Sequence, residues 1–103
     1  MKLSHEFNSI RRWASSRDLH IKGDVKTQII KLQEEVGELA KAILKNNDEE
    51  FKDAIGDCVI VLTNLAYLNN MNIEDCINSS YEVIKKRTGK MENGTFVKDA
   101  EQA

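Results

Sequence analysis

No proline interrupts the 103-residue chain, and apolar residues recur along most of it at spacings of three and four. Proline would remove a backbone donor and clash with the preceding turn, so its absence leaves every segment free to be helical. Spacings of three and four gather apolar side chains on one side of a helix, whereas a half-buried strand alternates every second residue. The five glycines are few, and no internal repeat or low-complexity linker is present. The pattern predicts an all-α fold, a small four-helix bundle forming a single domain over residues 1–103. Its helical core lies at about 4–87 and an irregular C-terminal tail at about 88–103.

The first helix is expected at about 4–17, with Phe7, Ile10 and Ala14 on one face and Trp13 beside them. Leu19 to Gly23 reads as a connection. Asp24 is placed to cap a second helix reaching about Lys45, striped by Val25, Ile29, Leu32, Val36, Leu39 and Ile43. After Asn46-Asn47, Asp48 is expected to cap a third helix running to about Asn69. Phe51, Ile55, Cys58, Leu62 and Leu65 would face inward, with Ile60 and Tyr67 on the opposite side. A helix apolar on both sides is buried on both sides, which puts this one at the centre or at a subunit interface. Asn72 would cap a fourth helix to about Arg87, carrying Ile73, Cys76, Ile77, Ser80, Tyr81 and Ile84. The Asn93-Gly94 pair inside Met91 to Val97 signals a short hairpin or ordered tail, and the last six or so residues are expected to fray.

Composition narrows the function classes. Hydrophobic residues make up 41% and charged residues 31% of the chain, as in a soluble globular domain. The net charge is −2 with signs interspersed, so no broad basic surface is predicted for duplex nucleic acid. No apolar run approaches the ~20 residues that cross a bilayer, and the polar, acidic start does not read as a secretory signal. Cys58 and Cys76 each fall on an apolar helix face, without a Cys-x-x-Cys or a nearby histidine pair. They read as reduced core thiols of a cytoplasmic protein and make a poor zinc site.

Against this background the acidic residues stand out. Glu34, Glu35 and Glu38 share one helical stretch, and Asp53 and Asp57 share the next helix. Residues three or four apart on a helix are neighbours, about 5–6 Å between Cβ atoms. Like charges at that distance repel by ~3 kcal/mol at an effective dielectric near 20, and a hard divalent cation turns the repulsion into coordination. Glu35 and Asp57 each border an apolar stripe, so packing the two helices would bring both acidic edges to one crevice. Gly37 and Gly56 sit inside these motifs, each costing about 1 kcal/mol against alanine in a helix. That cost makes sense where a helix, a ligand or a partner backbone approaches closely. The competing explanation is a solvated face, with Glu34 and Glu38 in ordinary pairs with Lys31 or Lys41.

Glu34-Glu35-Val36-Gly37-Glu38-Leu39-Ala40, followed by Asp53-Ala54-Ile55-Gly56-Asp57, resembles the MazG-like all-α nucleoside triphosphate pyrophosphohydrolases. The resemblance extends over about 24–98, including the tail from Lys90 to Val97. It implies magnesium-dependent hydrolysis of a nucleoside or deoxynucleoside triphosphate to the monophosphate and pyrophosphate, with manganese as a substitute ion. It further implies Glu35, Glu38 and Asp57 as metal ligands, Glu34 as a further ligand or as the residue that orients the attacking water, and Glu34 or Glu38 as the one that deprotonates it. One family ligand falls on Ala54, which cannot bind metal, and Asp53 is the nearest replacement. The same departure motivates the alternative of a weak or inactive nucleotide-binding helical oligomer.

Substrate contacts are expected from the basic cluster Lys85, Lys86, Arg87 and Lys90, with Lys98 beyond it. Cations in a last helical turn also simply complement the helix dipole. Asn64, polar on a helix that is otherwise buried, is a candidate for a base, a sugar or a water. Trp13 reads first as core and second as a stacking surface for a base. A chain this small with a two-sided third helix is expected to form a homodimer or homotetramer.

Overall fold

The computed structural model describes residues 3–100, which divide into two compact units, one up to Ile73 and one from Glu74. The first unit holds four helices: α1 (Leu3–Ser16), α2 (Leu19–Lys22), α3 (Val25–Leu44) and α4 (Asp48–Leu68). The all-α expectation holds, with a two-stranded tail. The segment predicted as a connection is itself a single helical turn, α2. It starts after Asp18, whose left-handed backbone at φ 60° breaks α1, and it stops at the extended Gly23.

Asp24 caps α3 as expected, its carboxylate accepting the Thr27 backbone N–H at 2.8 Å and the Thr27 hydroxyl at 2.8 Å. These bonds to the charged form, first from the backbone of Thr27 and then from its side chain, hold Asp24 below the usual carboxylate pKa. The cap of α4 is Asn47 rather than Asp48, with the Asn47 Oδ1 accepting the Glu50 N–H at 3.0 Å. Asn46 in the left-handed region at φ 54° turns the chain one residue before this cap and two before the expected one.

α3 and α4 pack as a helical hairpin, and α1 lies against α4. Phe7 and Ala14 are the buried residues of α1, and the Ser15 hydroxyl shares a 3.0 Å hydrogen bond with the Tyr67 hydroxyl. The inward line of α3 is Gln28, Leu32, Glu35, Leu39 and Ala42, and that of α4 is Ala54, Asp57, Val61, Asn64 and Leu68. Both lines alternate steps of three and four, as a packed helical seam requires.

This corrects the expected stripes. Val36 is 50% and Ile43 55% exposed on α3, while Phe51 and Ile55 are 42% and 43% exposed on α4. Small residues at Ala42 and Ala54 let the two backbones come together along a line that the larger side chains flank. Two further core assignments change. Trp13 is 52% exposed, with the Arg17 guanidinium 4.3 Å above its ring, and Cys76 is exposed while Cys58 is half-buried.

The second unit contains most of α5 (Ile73–Ile84) and the antiparallel pair β1 (Gly89–Glu92) and β2 (Thr95–Lys98). α5 ends about a turn before Arg87, so Lys85 and Lys86 lie in the turn that follows it. Asn93 and Gly94 both have positive φ, 50° and 84°, the backbone of a two-residue type I′ hairpin turn. Met91 pairs with Phe96, and the Asp99 N–H donates to the Thr88 carbonyl at 2.9 Å. Lys98 and Asp99 are therefore ordered rather than frayed, and the remainder of that expectation reaches residues 101–103, outside those described. Among the described residues no helix is long and apolar enough to cross a membrane.

Candidate functional site

The α3–α4 seam brings the acidic residues of the two helices together. Glu35, Glu38, Asp53 and Asp57 line one cavity of about 270 Å³, shared with Lys41, Lys45, Glu50 and Ala54. Glu34 is absent from this lining; it lies on the outer side of α3, with its carboxylate 3.9 Å from Lys31. A second, more open groove of about 430 Å³ runs along α4, lined by Glu49, Lys52, Asp53, Gly56, Asp57 and Ile60. Asp53 and Asp57 thus face both recesses.

Asp57 is the electrostatic centre. Burial raises its carboxyl pKa above the ordinary 3.8, and repulsion from Asp53 and then from Glu35 raises it further. Both neighbours also stand within hydrogen-bonding reach of it. Asp53 thus stands beside Asp57 at the cavity, and Ala54 is buried in the cavity wall.

Lysines pair with three of the cavity carboxylates. Lys31 Nζ lies 3.3 Å from Glu35, Lys41 Nζ lies 3.8 Å from Glu38, and Lys45 Nζ lies 3.7 Å from Glu50 across the turn. Among the described residues no three His, Cys, Asp or Glu side chains converge tightly enough to hold an ion as they stand. The donor chemistry nevertheless fits a hard dication: the cavity offers only carboxylate oxygens as anionic ligands, and their mutual repulsion is already visible at Asp57.

The other expected site residues are placed as follows. Asn64 is 4% exposed on the seam, two helical turns beyond Asp57, and its Oδ1 has no hydrogen-bond partner among the described residues. Trp13 is on α1 with its face taken by Arg17. Lys85, Lys86, Arg87 and Lys90 belong to the second unit, where Lys85 pairs with Glu82 at 2.7 Å and Lys90 with Glu92 at 3.1 Å. A methyl group added at Gly37 or Gly56 would meet nothing within 4 Å, so no neighbour in the chain demands either glycine. Sequence reasoning missed Lys41 and Lys45 as cavity residues. Their signal was present, since they follow Glu38 at three and seven residues and so share its helix face.

Residues 24–91 match the MazG nucleotide pyrophosphohydrolase domain, a span that includes both acidic motifs. The chain belongs to the MazG family. An uncharacterized 18.2 kDa protein from the rep-hol intergenic region of Haemophilus phage HP1 is 39% identical over 70 residues. The match covers 68% of this chain and 43% of that protein, so the chain aligns with less than half of its relative. No solved structure matches the chain. The MazG family is generally dependent on a divalent metal, in keeping with the all-oxygen donor set of the cavity.

Proposed function

We propose that this MazG domain hydrolyses a nucleoside or deoxynucleoside triphosphate to the monophosphate and pyrophosphate, using Mg²⁺ held at the α3–α4 cavity. The observation that carries this reading is the meeting of Glu35, Glu38, Asp53 and Asp57 around one cavity. Those four carboxylates would hold the ion, with Asp53 in place of the ligand lost at Ala54. When bound, the ion supplies positive charge to phosphate oxygens and makes a water more acidic. Glu38 accepts a proton from the attacking water. The water oxygen bonds to the α-phosphorus, the bond from that phosphorus to its β-bridging oxygen breaks, and the electron pair leaves with pyrophosphate.

Asn64 and Trp13 are assigned to the nucleoside. The unpaired Oδ1 of Asn64 is an acceptor awaiting a donor, and a base stacking on Trp13 would compete with Arg17. Lys85, Lys86, Arg87 and Lys90 are assigned to phosphate binding within the second unit. The chain works in the cytoplasm as a homodimer or homotetramer, an assembly supported by the apolar side chains exposed on both long helices.

The test is phosphate release after addition of inorganic pyrophosphatase, across the NTPs and dNTPs. A magnesium-dependent signal that Glu38→Ala removes is expected, and a signal indifferent to either sinks the reading. Ala54 supports a second reading, a nucleotide-binding oligomer with little turnover. Calorimetry separates the two, because tight Mg²⁺–nucleotide binding without product favours the second.

A further inference from the structure

We propose that Lys41 and Lys45, at the end of α3, grip the leaving pyrophosphate of the substrate; this rests on the triphosphate-hydrolysing reading above. Both line the same cavity as Glu35, Glu38, Asp53 and Asp57, and both keep their ammonium groups in reach of solvent. Their present partners are weak ones. Lys41 stands 3.8 Å from Glu38 and Lys45 3.7 Å from Glu50, with all four side chains more than half exposed, and such pairs are worth little. Taken together the cavity lining carries five carboxylates and two ammonium groups, a formal charge of −3. A dication lowers that to −1, so a polyphosphate entering next is still repelled unless the lysines turn to it.

The placement gives the substrate a direction. Along the hairpin the order from the turn is Lys45 and Glu50, then Lys41 and Ala54, then Glu38, Glu35 and Asp57, and last Asn64. Asn64 lies seven residues beyond Asp57, about 10.5 Å along the helix axis and about 20° round it. The β- and γ-phosphates therefore lie toward the α3–α4 turn, and the nucleoside toward Asn64. A cation that pairs with Glu38 before substrate arrives also competes with the metal for that carboxylate. Removing it acts in opposite directions on the two ligands.

The test uses the full chain and the Lys41→Gln, Lys45→Gln double variant, with folding checked by circular dichroism. The probes are inorganic pyrophosphate with Mg²⁺ and, separately, Mn²⁺ alone, both followed by calorimetry. The expected result is pyrophosphate binding at least tenfold weaker and Mn²⁺ binding unchanged or a few-fold tighter. In hydrolysis, KM should rise at least tenfold with a smaller change in kcat. Pyrophosphate binding within twofold of the parent overturns the proposal. So does its loss in a Lys85→Gln, Lys86→Gln, Lys90→Gln variant while the Lys41, Lys45 variant keeps it. If the parent chain neither hydrolyses triphosphates nor binds pyrophosphate with Mg²⁺, the underlying reading fails instead.

Discussion

The inner seam of the α3–α4 hairpin and the outer faces of the same two helices divide the residue types in an unusual way. The seam carries Gln28, Glu35, Asp57 and Asn64 among small and medium apolar residues, while Ile29, Val36, Ile43, Phe51 and Ile55 lie outside and exposed. A helical pair optimised for its own stability would place the large apolar residues between the helices, where burying one is worth about 1.5–3 kcal/mol. Here the best-buried seam positions hold Ala42, Ala54, Val61 and Asn64, the half-buried ones include Gln28, Glu35 and Asp57, and large apolar surface is left over. The difference separates two tasks. On the proposed function, the seam serves a charged ligand and the outer faces serve association.

The largest effects are expected at the seam. Asp57→Asn is expected to lower kcat/KM by ~10²–10³-fold, the usual scale for losing a group that stabilises charge in a transition state. The same variant should be more stable than the parent without metal at neutral pH. The folded-state pKa of Asp57 is raised, so its favourable contribution is complete below the ordinary value of 3.8 and is lost as pH rises through the folded value. The gap in melting temperature should close on acidification. A variant less stable at pH 7 would contradict the sign.

The outer faces answer to a different change. Val36→Glu with Ile55→Glu should weaken self-association by several kcal/mol, because a buried unpaired charge is costly, and leave a folded chain of lower mass in light scattering. An unchanged mass would show that these faces do not associate. Ala54→Glu sharpens the seam further. It puts a carboxylate back in the cavity wall and should cost ~1–3 kcal/mol of stability without metal, with Mn²⁺ binding tightened in calorimetry.

Smaller effects follow at the helix level. Gly56→Ala should raise the melting temperature by the equivalent of ~1 kcal/mol, since nothing in the chain opposes a methyl group there. It should also reduce turnover if the open groove beside it admits ligand. Asp24→Ala should destabilise at neutral pH. The depressed pKa of Asp24 gives a contribution present above 3.8 and lost as pH falls through the folded value, so this deficit too should disappear in acid. The two aspartates thus predict pH dependences of opposite sign, which differential scanning calorimetry can compare directly.

Much of the fold was legible because it depends on local chemistry. Asp24 three residues before Thr27 reads as a cap, and Asn93-Gly94 reads as a type I′ turn, with no knowledge of the rest of the chain. The grouping of carboxylates was legible too, because helix spacing alone aligns Glu35 with Glu38 and Asp53 with Asp57. What failed was the choice of which line faces inward. Hydropathy ranks side chains by bulk and centred the stripes on Ile29, Val36, Phe51 and Ile55. Close packing selected Ala42 and Ala54, where two backbones can meet. Trp13 was misplaced for the same reason; Lys41 was passed over because it was read only as an exposed partner for a glutamate, and Lys45 because it was read only as the end of a helix.

The attachment of α1 has a consequence for how the chain comes together and opens. α3 and α4 meet across a three-residue turn, 45–47, so closing their contact costs little chain entropy. α1 reaches α4 through the Ser15–Tyr67 hydrogen bond, 52 residues apart in sequence, and through few buried side chains. In the first unit the hairpin is therefore set to form first and α1 to dock last and detach first. Amide protons of α1 should exchange with solvent by that detachment, faster than those at the centre of α4, and the binding seam can survive while its neighbour comes and goes.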